Sequence, residues 1–219
     1  CVVGDLHGCF SIFQRLLDKI PEDHRIVLVG DYIDRGEESA ELLRFIAERH
    51  DFTCLKGNHE DMLLRFLDDP AERGARWLRY GGLQTLASFG IQGGREQMDA
   101  EALEDCSSRL KAAMGNQLIE WIRNLELSVV SGNLLITHAG ADPNRPEYGQ
   151  TEQDLMWGHP DFSRQKRTDG IWVAHGHTIQ ETPTASHGRI GVDTGAYASG
   201  VLSAACIANG DITFIQSHC

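Results

Sequence analysis

Five short apolar segments of this sequence are each followed by residues that commonly bind metal ions, with glycine nearby. These candidate ligands, in chain order, are Asp5, His7, Asp31, Asn58, His138 and His177. In α/β folds, ligands bind beyond the carboxyl ends of the strands, and glycine lets the backbone turn sharply and approach a ligand closely. A single Asp or His at such a place is weak evidence. Five segments with the same feature predict that their side chains converge on one site.

The types of these residues indicate a pair of metal ions rather than a structural zinc site. The set mixes carboxylate, amide and imidazole ligands and contains no thiolate, which suits Mn²⁺, Fe or Zn. The carboxylate of Asp31 has two oxygens and can bridge two ions. Two ions roughly 3.5–4 Å apart bind the phosphate between them and promote deprotonation of a bridging water to hydroxide. The sequence therefore predicts a dinuclear centre, with Mn²⁺ as the expected ion, that hydrolyses a phosphate ester.

The spacing of apolar residues predicts the elements that position these ligands. Strands are predicted at the start of the chain and over residues 26–29 and 52–55. Helices are predicted over residues 10–20 and 40–46, where apolar residues recur on one face. This β-α-β-α-β order favours a sheet with parallel strands and crossover helices.

The rest of the chain divides into a helical part and a β-rich part. The length of 219 residues suits one domain over 1–219, and residues 61–125 predict a helical insertion within it. Further strands are predicted over residues 127–130, 134–137, 171–174, 189–192, 201–207 and 212–215. The segment 142–153 has the most loop-like composition.

Composition restricts the partners that we expect. The chain has 32 acidic and 20 basic residues, a net charge of -12, which argues against a nucleic-acid partner but not against a phosphate bound through metal ions. No apolar run approaches the roughly 20 residues of a membrane span, and no signal peptide is visible. None of the six cysteines forms a CxxC pair, so reduced structural thiols are expected. These features predict a cytoplasmic protein that binds neither nucleic acid nor membrane, and they do not indicate an oligomeric state.

The motifs of the chain resemble those of a known family. Gly4-Asp5-x-His7-Gly8, Gly30-Asp31-x-x-Asp34-Arg35-Gly36 and Gly57-Asn58-His59-Glu60 resemble the phosphoesterase motifs of PPP-type protein serine/threonine phosphatases, above all the short bacterial and phage members. His138-Ala139-Gly140 and Gly176-His177-Thr178 resemble the later histidine motifs. The resemblance spans essentially the whole chain. It implies the α/β (α+β) class and a calcineurin-like metallophosphoesterase αββα sandwich, in which helices flank two sheets.

The resemblance also implies a division of the metal ligands. Asp5 and His7 resemble the ligands of the first ion, and Asp31 resembles the bridging ligand. The residues that resemble ligands of the second ion are Asn58, His138 and His177.

The resemblance further implies catalytic and substrate-binding roles. His59 resembles the general acid that protonates the leaving oxygen, and Asp34 resembles the carboxylate that orients it. Arg35 resembles a phosphate-clamping arginine, with Asn58 and His138 expected beside the same phosphate oxygens.

One position departs from the family pattern. Short phosphatases of this kind often carry an arginine shortly after a tryptophan as a second phosphate clamp, whereas Trp157 here is followed by Gly158 and His159. Either His159 has this role, or Arg164 or Arg167 folds back, or the clamp is absent.

Two further polar residues near the motifs have several interpretations. His175 stands where many relatives have Arg, and we expect it to be structural. Asp193 is expected either to hydrogen-bond a metal ligand or to stabilise a turn.

Three functions are compatible with these motifs. The leading hypothesis is a phosphomonoester hydrolase, a protein serine/threonine phosphatase whose partner is a phosphorylated protein or peptide. Glu60 after His59 and Thr178 after His177 favour it. With 7% aromatic residues and a negative net charge, the sequence shows no obvious surface for nucleosides, although Tyr80, Trp157 and Tyr197 are candidates for the mouth of the site. The alternative is a symmetrical diadenosine tetraphosphatase, which uses the same metal core. A scaffold without turnover is disfavoured because no ligand is missing.

Overall fold

The computed structural model describes residues 1–219 and contains two five-stranded β-sheets with helices outside them. The strands, in chain order, are β1 (Val2–Val3), β2 (Ile26–Leu28), β3 (Phe52–Cys54), β4 (Ser128–Ser131), β5 (Leu134–Thr137), β6 (Trp172–His175), β7 (Thr184–Ser186), β8 (Arg189–Gly191), β9 (Val201–Ala208) and β10 (Asp211–His218). The helices are α1 (Phe10–Leu17), α2 (Ser39–Ala47), α3 (Asn58–Asp68), α4 (Pro70–Trp77), α5 (Leu83–Ser88), α6 (Ala100–Met114), α7 (Asn116–Arg123), α8 (Glu152–Trp157) and α9 (Ala196–Ser199).

The first sheet has the strand order β10-β9-β1-β2-β3. Its strands β1, β2 and β3 are parallel and are connected through α1 and α2, as the apolar pattern predicts. The hairpin of β9 and β10 extends the sheet on the other side, with β9 antiparallel to β1. The parallel strands bring the segments after β1, β2 and β3 to one edge of the sheet.

The second sheet has the strand order β4-β5-β6-β8-β7. Here β5, β6 and β8 are parallel to one another, so the segments after β5 and β6 also leave at one edge. The strands β4 and β7 pair antiparallel at the two outer edges. The predicted α/β class and αββα sandwich are confirmed.

Two apolar clusters hold the layers together. The smaller one lies between the sheets and includes Val29, Ile136 and Ala174, each from a strand or strand end of the two sheets. The larger one lies between the first sheet and its helices and includes Phe13 and Phe66. Burial of these side chains removes apolar surface from water on both faces of the first sheet.

The helices α3 to α7 fill the chain between β3 and β4. A π-helical turn (Leu78–Gly82) joins α4 to α5, and Gly81 within it has φ 116°, which glycine adopts more readily than other residues. Gly81 and Gly82 therefore interrupt the helical segment between α4 and α5.

Some elements differ from those expected. The strand β7 has three exposed residues and no apolar side chain larger than alanine, so it gives no hydrophobic signal. The helix α8 begins inside the segment expected to be a loop, because Thr151 caps it by accepting a hydrogen bond from the Asp154 backbone N–H at 3.1 Å.

The cysteines also differ from the expected set of reduced thiols. Cys1 and Cys206 form a disulfide, since the antiparallel register of β1 and β9 places them opposite each other. The other four, Cys9, Cys54, Cys106 and Cys219, are free thiols.

None of the helices is both long and apolar enough to cross a membrane.

Candidate active site

All six predicted metal ligands lie together at the shared edge of the two sheets. Asp5 and His7 follow β1, Asp31 follows β2, and Asn58 begins α3 after β3. The second sheet contributes the residues that follow β5 and β6, which are His138 and His177. Five of the six side chains are buried, and His177 is partly buried.

The backbone at this edge adopts an uncommon conformation. The positive φ values outside glycine include 40° at His7, 53° at Asp31, 69° at Asp34, 70° at Arg35 and 62° at His177. Such left-handed residues cost free energy and persist only where the surroundings enforce them, as at functional sites.

Asp31 lies at the centre of the cluster. Its oxygen Oδ2 is 3.6 Å from Nε2 of His7 and 3.8 Å from Nε2 of His59. Its other oxygen, Oδ1, is 3.4 Å from Nε2 of His138. Each oxygen of one carboxylate therefore faces a different group of imidazoles.

The remaining ligands complete the cluster around Asn58 and Asp5. The amide oxygen of Asn58 is 2.8 Å from Nε2 of His138 and 2.9 Å from Nδ1 of His177. The carboxylate of Asp5 accepts hydrogen bonds from the backbone N–H of His177 at 3.0 and 3.1 Å.

Backbone carbonyls orient two of the imidazoles. Nδ1 of His7 donates to the Ile33 carbonyl at 2.8 Å, and Nδ1 of His138 donates to the Val29 carbonyl at 3.1 Å. Burial lowers the pKa of His7 to about 3 and of His138 to about 4, although Asp31 opposes the shift in both. Both rings are therefore neutral near pH 7 and present the Nε2 lone pair, which is the form that binds metals.

The donor set fits divalent cations. The unprotonated Nε2 of His138 faces the oxygens of Asn58 and Asp31, so hydrogen-bond acceptors lie against one another with no proton between them. A cation bound by all three atoms would remove this repulsion. Burial, and then the carboxylates of Asp193 and Asp31, raise the pKa of Asp5 well above its ordinary value, and a divalent cation would offset this concentration of negative charge. Two groups of ligand atoms within 4.8 Å of one another share Asp31. The first contains His7 and His59, and the second contains His138 and His177.

Glycines make room for the two central carboxylates. A Cβ atom on Gly57 would collide with Asp31 Oδ1, and a Cβ atom on Gly176 would collide with Asp5 Oδ1. The glycines beside these motifs are therefore required by close approach of backbone to carboxylate.

Glu60 supports the segment that contains Asp31. Its Oε2 accepts hydrogen bonds from the backbone N–H groups of Asp31 at 2.8 Å and Gly57 at 2.9 Å, and its Oε1 accepts one from Tyr32 at 2.8 Å. Glu60 is fully buried. The sequence motif contains Glu60, but nothing in it indicates this bonding.

A second buried network holds His59 beside the metal-ligand cluster. Nδ1 of His59 lies 2.6 Å from Asp34 Oδ2. The indole N–H of Trp77 and the hydroxyl of Thr85 donate to the same carboxylate, at 3.0 and 2.6 Å. Trp77 and Thr85 lie 43 and 51 residues from Asp34 in the chain, so the sequence offers no signal for their roles. Arg35 reaches this network, with Nη2 3.3 Å from His59 Nε2.

The candidates for a second phosphate clamp do not join the cluster. Arg167 is buried and binds the carboxylate of Asp169 and the backbone carbonyls of Asp142 and Arg145. His159 accepts a hydrogen bond at Nδ1 from the Asp161 backbone N–H at 3.2 Å. Arg164 is exposed.

The other two polar residues have local contacts. The ring of His175 packs edge-on against Phe162, with centroids 4.9 Å apart, and its Nδ1 donates to the Gly176 carbonyl at 3.0 Å. Asp193 accepts a hydrogen bond from the Gly195 backbone N–H at 2.8 Å, which stabilises a turn, and its carboxyl also hydrogen-bonds the carboxyl of Asp5.

Comparison with known proteins agrees with the metallophosphoesterase resemblance. The family model described as calcineurin-like phosphoesterase matches residues 1–181. The asymmetrical bis(5'-nucleosyl)-tetraphosphatase PrpE of Bacillus velezensis is 26% identical over 225 residues, covering 89% of this chain and 83% of that protein. The symmetrical bis(5'-nucleosyl)-tetraphosphatase of Haemophilus ducreyi is 34% identical over 148 residues, covering 65% of this chain and 45% of that protein.

A solved structure shows the same fold. The crystal structure of a candidate diadenosine tetraphosphatase has a TM-score of 0.68 and 20% identity. The likeness covers 99% of this chain and 92% of that chain.

The names of the relatives contradict the leading hypothesis of a protein serine/threonine phosphatase with a phosphorylated protein or peptide as partner. That prediction was wrong because its two discriminating residues do not report on the substrate. Glu60 is buried and bonds only to backbone near Asp31, and Thr178 is exposed and makes no side-chain hydrogen bond. The expected absence of a nucleoside surface rested on the low aromatic content, the negative net charge and His159 at the second clamp position, none of which tells where rings and charges lie.

Proposed function

The chain belongs to the calcineurin-like phosphoesterase family, and from this premise we propose that it hydrolyses dinucleoside polyphosphates such as diadenosine tetraphosphate. The proposal of this substrate rests on the similarity, across 89% of the chain, to a bis(5'-nucleosyl)-tetraphosphatase. The converging ligands around Asp31 support phosphoester or phosphoanhydride chemistry, since this donor set suits a pair of divalent ions.

We assign the metal ligands as two sets that share Asp31. Asp5 and His7 would hold the first ion, and Asn58, His138 and His177 would hold the second. Mn²⁺ is the expected ion because imidazole, amide and carboxylate donors suit it, with Fe and Zn as alternatives. When bound, the ions supply Lewis-acid polarisation of the phosphate and activation of water.

His59 is assigned as the general acid. Asp34 fixes the ring through Nδ1, which leaves Nε2 facing Arg35 and Asp31. Burial lowers the pKa of His59, but the carboxylates of Asp31 and Asp34 outweigh burial and raise it above its ordinary value. The ring can therefore hold a proton at Nε2 for the leaving oxygen.

Arg35 is assigned as the clamp on the phosphate oxygens. Its planar guanidinium offers parallel N–H donors that match a phosphate, and it lies beside the atom of His59 that would release the proton. Asn58 and His138, on the opposite side of Asp31, are assigned as further contacts to the phosphate.

The test is a comparison of kcat/KM for diadenosine tetraphosphate and a phosphoserine peptide under identical Mn²⁺. We expect the dinucleotide to be better by about tenfold or more, about 1.4 kcal/mol in transition-state binding. Chromatography of the products assigns the bond cleaved, since two ADP molecules indicate symmetrical cleavage and ATP with AMP indicates asymmetrical cleavage. A peptide that is hydrolysed equally well would overturn the proposal.

A further inference from the structure

A pocket of about 430 Å³ opens beside the metal-ligand cluster. Its lining residues are Arg35, Arg79, Tyr80, Gly81, Gln84 and Tyr197. Its volume lies within the roughly 300–1,000 Å³ of small-molecule sites. The metal ligands themselves do not line it.

The pocket is continuous with the proposed reaction site. The ring of Tyr197 is 5.3 Å from the ring of His7, and the guanidinium carbon of Arg35 is 4.7 Å from the centroid of Tyr197. Arg35 also lies against His59 on its other side. A substrate whose phosphate contacts Arg35 therefore has its next substituents at the mouth of this pocket, on the side of His59.

The side chains of the pocket have the chemistry of a nucleotide site. Tyr80 and Tyr197 are 49% and 38% exposed, and they are among the few large apolar side chains of this chain that face solvent. Arg79 makes no hydrogen bond or ion pair with the protein. Beside the pocket, the guanidinium of Arg76 lies 6.0 Å from the ring of Tyr80 and 5.0 Å from the ring of Trp157. An aromatic face binds a base, and an unpaired guanidinium binds phosphate oxygens.

The backbone holds these side chains at a fixed distance from Arg35. The carbonyl of Gly81 accepts a hydrogen bond from the Arg35 backbone N–H at 3.2 Å, and a Cβ atom on Gly81 would lie 2.6 Å from that nitrogen. Tyr80 and Arg79 precede Gly81 in the π-helical turn, a feature that often occurs at functional sites. The turn therefore ties the outer part of the pocket to the proposed phosphate clamp.

We propose that this pocket binds one nucleotide half of the substrate, with its base against Tyr80 and its phosphate oxygens on Arg79. This inference rests on the proposed function and names the residues that select a dinucleotide over a simple phosphate ester. Tyr197 forms the inner wall, between the nucleotide and His7.

The experiment measures kcat/KM for diadenosine tetraphosphate and for para-nitrophenyl phosphate in the Mn²⁺-loaded protein. In Tyr80→Ala and in Arg79→Gln, the ratio of the two values is expected to fall by about tenfold or more, because only the dinucleotide places a base and extra phosphates in the pocket. Tyr80→Phe keeps the aromatic face and should keep most of the ratio. Tyr148→Ala removes a tyrosine that is 87% exposed and lies outside the pocket, and it should leave both values unchanged.

The possible outcomes separate the two proposals. If the wild-type protein does not hydrolyse the dinucleotide, the proposed function fails. If it does, but Tyr80→Ala and Arg79→Gln leave the ratio unchanged, the pocket assignment alone fails. A ratio that falls equally in Tyr80→Phe and Tyr80→Ala overturns base stacking on Tyr80. Retained hydrolysis of para-nitrophenyl phosphate in each variant shows that the protein has folded.

Discussion

The carboxylate of Glu60 holds the backbone of Asp31 in a left-handed conformation. Oε2 of Glu60 accepts the Asp31 N–H at 2.8 Å, and the φ of Asp31 is 53°. The same carboxylate accepts two more N–H groups, from Tyr32 and Gly57, and so connects the segment after β2 to the start of α3. A strained backbone conformation at the centre of the metal-ligand cluster thus depends on a fully buried carboxylate that bonds to backbone.

Glu60→Gln should therefore destabilise the protein. The amide NH₂ of glutamine cannot accept a hydrogen bond, so at least one of the three buried N–H groups loses its acceptor, at a cost of about 1–3 kcal/mol. Urea unfolding in the presence of a chelator measures this change without a contribution from bound metal. Glu104→Gln, at an exposed position of α6, is the matched control and should unfold like the wild type. An unchanged midpoint for Glu60→Gln would contradict the inferred support of Asp31.

Asp31→Asn should reduce binding at both metal sites. Asp31 belongs to both groups of ligand atoms, whereas His177 belongs to one. Metal analysis of Mn²⁺-loaded protein should give about two ions per chain for the wild type, about one for His177→Ala, and less than one for Asp31→Asn. Chelation should abolish activity, and Mn²⁺ should restore it better than Ca²⁺, which prefers more oxygen ligands. Full metal content in Asp31→Asn would refute the shared ligand.

His59→Asn should lower kcat most for the substrates whose leaving group is the strongest base. General acid catalysis contributes about 10²–10⁴-fold where the leaving oxygen needs a proton. An alkoxide from glycerol 2-phosphate needs it most, whereas nitrophenolate and the phosphate of a departing nucleotide are weaker bases. The loss in kcat should be larger for glycerol 2-phosphate than for para-nitrophenyl phosphate or diadenosine tetraphosphate. Asp34→Asn should rank the three substrates in the same way. Equal losses on all three substrates would show that His59 does not protonate the leaving group.

His175→Gln should make stability less sensitive to acid. Burial lowers the pKa of His175 to about 4 in the folded chain, although its hydrogen bond to the Gly176 carbonyl opposes the shift, while the ordinary value of 6.5 applies when unfolded. The unfolded chain therefore binds more protons between these values. The stability contribution is present above pH 6.5 and is lost as the pH falls towards 4, up to about 3 kcal/mol.

The measurement is the free energy of unfolding at pH 7 and at pH 4.5, from urea titrations of both proteins. Glutamine is neutral at both values and can still donate to the Gly176 carbonyl, so the difference between the two pH values should be smaller in His175→Gln. His50→Gln, at an exposed position after α2, is the control and should follow the wild type. A variant with the wild-type pH dependence would show that His175 does not contribute.

Most strands and the first two helices were predictable from the sequence because their signals are local, whereas the αββα sandwich was expected from the family resemblance. Apolar segments of strand length, helical stripes between them and glycines at the strand ends are all patterns within short windows. The exposed strand β7 has no such pattern, because it is held by pairing with β8 rather than by burial. The candidate ligands were found in the same way, since they follow five of these strands.

The sequence by itself determined that Asp5, His7, Asp31, Asn58, His138 and His177 follow strands and that their types suit divalent ions. Only the tertiary structure decided that Asp31 lies between His7 and His138, that Trp77 and Thr85 hold Asp34, and that Tyr80 and Arg79 stand beside Arg35. These relationships join residues about 24 to more than 100 positions apart, so no local pattern contains them. The nucleotide pocket that we propose depended on them most, because net charge and motif letters do not state where arginines and exposed rings meet. Their positions are set by how the helices after β3 pack against the edge of the first sheet where the metal ligands lie.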